Sequence, residues 1–114
     1  MNDVEREIEL PAAPPEVWEQ VVDAEALGDW LEAEVELDLR PGGAAMFRFA
    51  DGEVRRAMVR EVEDGQRLAF TWWPLTGPEI GRATDVTITI EPCGDGSVLR
   101  LVERRARSRA LAAA

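Results

Sequence analysis

The sequence predicts an α+β fold: a seven-stranded antiparallel meander with two helices inserted after its first strand. Three observations carry that expectation. Apolar and polar residues alternate with a period of two in stretch after stretch, and turn signals separate the stretches roughly every 8–14 residues. Between residues 14 and 31 the pattern switches, twice, to the period of a helix. The stretch QRLAFTWWP, residues 66–74, then puts Leu68, Phe70 and Trp72 on one strand face and Arg67, Ala69, Thr71 and Trp73 on the other. The first of those faces suits the inner wall of a curved sheet, and the second is expected to be solvated.

Taken in order, residues 4–10 read as a strand with Val4, Ile8 and Leu10 on one face and Glu5, Glu7 and Glu9 on the other. Arg6 is the charged exception on the apolar side. Pro14 and Pro15 open a helix, because proline has no N–H to leave unpaired in a first turn. Glu16 complements the positive helix end, and Val17, Trp18, Val21 and Val22 form the apolar stripe. Asp23 ends this helix and caps a second, whose apolar face is Leu27, Trp30 and Leu31. Gly28 is expected to weaken that helix by about 1 kcal/mol relative to alanine.

Beyond Leu31 the alternation returns. Val35, Leu37 and Leu39 oppose Glu34, Glu36 and Asp38, and Pro41-Gly42-Gly43 turns the chain. Residues 46–50 form a strand with Phe47 and Phe49 on one face, and Asp51-Gly52 is a hairpin signal. A longer strand over 53–63 leads through Asp64-Gly65 into the aromatic strand, and 74–81 is a looser loop. Residues 85–91 set Val86, Ile88 and Ile90 against Asp85, Thr87, Thr89 and Glu91. A turn at Gly94-Asp95-Gly96 precedes the last strand, 97–103. The arginines at 104, 105, 107 and 109 then crowd a tail whose composition favours helix, though an isolated helix so short is marginal.

A chain of 114 residues defaults to a single domain, 1–114, with 104–114 as a short Arg-rich C-terminal helix or tail. The net charge of −10 repels a nucleic-acid backbone, so no nucleic-acid partner is expected. No apolar run reaches a membrane span, and the acidic start does not resemble a signal peptide, which predicts a cytoplasmic protein with no membrane partner. With no His, no Tyr, no Lys and one Cys, the chain cannot build a Ser-His-Asp triad, a His-based zinc site, a Schiff base or an internal disulfide. No metal, no cofactor and no catalytic residue is expected. Cys93 has no histidine to activate it and reads as inert.

Four segments together, ELPAAPPEVWEQVVDAEALGDWL, RPGGAAMFRFADGE, VREVEDGQRLAFTWW and DVTITIEPCGDGSVLRLVE, resemble the START-related SRPBCC superfamily. Within it they are most similar to proteins named for the C-terminal domain of the activator of the ninety-kilodalton heat-shock protein ATPase (AHSA-type proteins). The resemblance implies a helix-grip fold, in which a curved antiparallel sheet grips a long C-terminal helix around a hydrophobic cavity. It also implies three classes of function: carriage of a small hydrophobic molecule or lipid, a chaperone-cofactor role in the stress response, and polyketide cyclase or aromatase chemistry. The leading expectation is ligand binding without catalysis. The absence of His and Tyr, the usual proton carriers near neutral pH, weighs against the enzyme.

The expected cavity lining is Trp30, Phe47, Phe49, Met58, Phe70, Trp72, Ile88 and Leu99, the apolar residues on inward faces; the plainer reading is that they are packed core. Arg56 and Arg60 share a face with Met58 and would meet an anionic ligand if that face is concave, or pair with carboxylates if it is solvated. Family members continue into a longer last helix, so the face it would cover is expected to be bare here. The corresponding expectation is a homodimer, through the uncovered concave face or by exchange of the basic tails; an open monomer is the competing one.

Overall fold

The computed structural model describes residues 4–105. The elements are β1 (Val4–Leu10), α1 (Pro14–Val22), α2 (Ala24–Leu31), β2 (Ala33–Leu37), β3 (Ala44–Phe49), β4 (Val54–Glu63), β5 (Arg67–Pro74), β6 (Thr84–Cys93) and β7 (Gly96–Arg105). This is the expected order. The strands form one antiparallel sheet, β1-β7-β6-β5-β4-β3-β2, which makes the aromatic strand β5 its middle member. The result is a curved, helix-grip-like α+β fold. The last strand runs two residues past its expected end and takes in Arg104 and Arg105. The rest of the expected 104–114 helix or tail, and the tail exchange built on it, lie outside the described residues.

The concave face is the core. It brings Phe47, Ala57, Val59, Leu68, Phe70, Val86, Ile88, Ile90 and Leu99 under Val17, Trp18 and Val21 of α1 and Leu27 of α2. α1 packs on β6 and β7, and α2 on β2. Trp18 donates its indole N–H to Asp64 Oδ1 at 3.1 Å, which ties α1 to the β4–β5 turn. Asp23 caps α2 as the sequence implies, its Oδ1 accepting from the backbone of Glu25 and Ala26.

Local details depart from the sequence reading in four places. β2 stops at Leu37, and Leu39 sits in the following turn while still packing on the core. The register of β4 against β5 shifts between Val59 and Glu61, so a bulge moves the inward phase from Ala57 and Val59 to Val62. The outer face of β5 is not solvated throughout: Ala69 and Thr71 are buried, and Thr71 donates to Asp85 Oδ1 at 2.6 Å. Gly28 is more than a weak helix residue. A Cβ placed there would lie 2.4 Å from the Ala33 carbonyl oxygen, because the chain turns back onto α2 through Glu32 in the left-handed region.

Candidate functional site

On the concave side, α2 and the inner faces of β1, β5, β6 and β7 leave an apolar pocket of about 260 Å³. Its walls come from alternate residues of each strand: Phe70 and Trp72, Val86 and Ile88, Leu101 and Glu103, with Leu27, Trp30 and Leu31 above them. Trp72 is fixed by aromatic neighbours. It meets Phe47 at 5.2 Å, Phe70 at 5.3 Å and Phe49 at 6.3 Å between ring centroids, each edge to face. A second pocket, also about 260 Å³, lies beside it between α1, α2 and β1. Ile8 and Trp30 are walls of both.

The residues expected to line a cavity divide accordingly. Trp30, Phe70, Trp72 and Ile88 come together in the first pocket, and Leu99 joins Trp30 in the second. Phe47 is fully buried behind them, stacked between Phe49 and Phe70, and Phe49 is half-buried at the edge of that cluster. Met58 is not with them. It pairs with Thr71 on the outer face and is 47% exposed, because Ala57 and Val59 take the inward phase of β4. Arg60 shares that outer face and pairs with Asp85 at 3.7 Å, which places it on the solvated side with carboxylates rather than in the concavity. Arg56 is exposed on the same face.

At the β7 end of the pocket the lining turns polar. Glu103 Oε2 accepts from Trp72 Nε1 at 2.8 Å and from Thr84 Oγ1 at 2.7 Å. Arg55 stacks over the Trp72 ring at 4.7 Å, bonds Glu53 at 2.9 Å and approaches Glu103 at 3.9 Å. The Glu103 side chain is only 20% exposed. It also borders an open polar cleft of about 720 Å³ between the start of β4, the 75–83 loop and the end of β7. That cleft is larger, but it is shallow and lined by charged residues such as Arg82 and Glu79, which pair with each other. The apolar pocket is the smaller of the two, and most of its lining is apolar.

Sequence reasoning missed Glu103 and Arg55. Glu103 falls in phase with Leu99 and Leu101, and Arg55 in phase with Ala57 and Val59, so the inward alternation carried the signal. It was masked in β7 by Val98 and Val102, which make both faces apolar. Among the described residues no three His, Cys, Asp or Glu side chains form a group that could hold a metal ion, and no helix is long and apolar enough to cross a membrane. Cys93 is exposed at the end of β6.

Comparison with known proteins follows the same lines. A family model described as Activator of Hsp90 ATPase homolog 1-like protein matches residues 11–114. No curated protein matches. Among solved structures, MLL2253 from Mesorhizobium loti is similar with a TM-score of 0.82 at 23% identity, over 97% of this chain and 84% of that one. Mll3558 from Rhizobium loti gives 0.76 at 27% identity, over 90% and 77%. DynU16, a protein of the dynemicin biosynthetic locus, gives 0.81 at 25% identity over 92% of this chain, which spans 38% of the length of DynU16.

Proposed function

The chain belongs to the family of Activator of Hsp90 ATPase homolog 1-like proteins, and from that premise we propose that it binds a small, mostly apolar molecule in the pocket beneath α2. One observation carries the reading. Trp30, Phe70 and Trp72, drawn from a helix and the middle strand, converge with Ile88 and Leu101 on a pocket that no described residue fills. At about 260 Å³ it lies just below the usual range of roughly 300–1,000 Å³ for ligand sites, which fits a molecule of one or two rings.

The chaperone-related name of the family favours a second reading, a protein-interaction role. Ile80 at 65% exposure and Leu75 at 40% give the 75–83 loop an apolar tip to which that reading can point. Native mass spectrometry of the protein purified from its own host separates the two. A co-purified small molecule that is lost on Trp72→Ala supports the pocket; a co-purified chaperone, with the pocket empty, favours the second reading.

A further inference from the structure

We propose that the ligand carries a hydroxyl group on its ring and that Glu103 selects for it. The inference rests on the pocket reading above and gives that pocket a chemical preference. Glu103 Oε2 is occupied: Trp72 Nε1 and Thr84 Oγ1 both donate to it, and the Arg55 guanidinium lies 3.9 Å away. Oε1 makes no hydrogen bond with any described residue, although a carboxylate has lone pairs for about four. The indole and the hydroxyl hold the side chain from one side, so the free oxygen belongs to a carboxylate whose orientation is already set. The Glu103 side chain stands between the apolar pocket and the open cleft, a wall residue of both, at 20% exposure, where a carboxylate costs more to desolvate than a neutral group would.

The charges favour a neutral donor. Arg55 is shared between Glu53 and Glu103, and Arg6 stands diagonal to Glu103 on the neighbouring strand, so these four side chains carry no net charge. That balance gives no net attraction to an anionic or a cationic ligand. A hydroxyl would instead form a charge-assisted O–H···O⁻ bond, among the shortest and strongest that proteins make. Arg6, the charged exception on the apolar face of β1, lines the same pocket from the strand next to β7, across from Leu101 and diagonal to Glu103, without an ion pair to Glu103 among the described residues. It offers the competing preference, for an anion.

Three probes of one shape separate these cases: 2-naphthol, 2-methylnaphthalene and 2-naphthoate, each titrated into the full chain by calorimetry. The expected result is that 2-naphthol binds about tenfold tighter than 2-methylnaphthalene, the gain of one good hydrogen bond, and that 2-naphthoate is weakest. Glu103→Gln keeps an acceptor for Trp72 and Thr84 but turns an amide N–H₂ toward the ligand. It should cost 2-naphthol most of its advantage, leave 2-methylnaphthalene unchanged and favour 2-naphthoate. Equal affinity for 2-naphthol and 2-methylnaphthalene in the unmodified protein overturns the assignment to Glu103 while the pocket stands. Tighter binding of 2-naphthoate overturns it in favour of Arg6. Binding of none of the three overturns the pocket reading together with the proposal.

Discussion

Replacing Gly28 by alanine sets two rules against each other with opposite signs. Glycine within a helix is worse than alanine by about 1 kcal/mol, so by propensity alone the substitution stabilises. The structure says otherwise. The new Cβ would stand 2.4 Å from the Ala33 carbonyl oxygen, whereas carbon contacts settle near 3.5 Å, so the two must part by about 1 Å. Neither side gives easily. Ala33 is paired with Phe49 at the start of β2, and the left-handed Glu32 donates its backbone N–H to the Gly28 carbonyl. Overpacking of this kind costs about 1–3 kcal/mol, and disturbing the turn hydrogen bond adds about 1 kcal/mol. Set against the propensity gain, the net loss is about 1–3 kcal/mol, a fall in melting temperature of about 5–15 °C for a domain of this size. Urea and thermal melts read it directly. A variant as stable as the parent, or more stable, would refute the reasoning, because propensity would then outweigh a contact that the fold does not enforce.

Phe70→Ala removes a buried ring from the aromatic cluster and should cost about 3–5 kcal/mol in urea melts. Thr71→Ala should cost about 1–2 kcal/mol, since the hydroxyl is buried and bonded to the half-exposed Asp85; a loss near zero would mean that the outer face is solvated there after all. Asp23→Ala should remove about 1 kcal/mol of helix capping and be rescued by Asn or Ser at the same position, an outcome that a purely electrostatic role would not give.

The fold was legible because its signals are local and repeated. Val86, Ile88 and Ile90 alternate without a break, the turns carry glycine, and prolines stand where a helix begins. Those features decide element type and order almost alone. The site was legible only in part. Trp30, Phe70, Trp72 and Ile88 were found because large apolar residues on an inward phase must pack on something. Met58 was misplaced because inward phase on β4 was assigned by residue type. The small Ala57 faces Trp72 and takes the inner position, so that size complementarity across the strands overrides hydrophobicity along one strand. Glu103 and Arg55 went unseen for the converse reason: a charged residue in an apolar phase makes sense only once its partners on β4, β5 and β6 are known. Gly28 looked like a weak helix residue because the close approach of Ala33 is created by the turn after it, not by the helix.

The four tryptophans report on the central claim most directly, since each contributes one indole N–H resonance to a proton–nitrogen correlation spectrum. Trp30 and Trp72 line the pocket; Trp18 is bonded to Asp64 beside the β4–β5 turn, and Trp73 lies on the outer face of the sheet opposite Arg56. If a small apolar ring compound such as 2-methylnaphthalene binds beneath α2, its titration shifts the Trp30 and Trp72 resonances together and leaves those of Trp18 and Trp73 in place. Four resonances that stay fixed, or that drift alike, would contradict it.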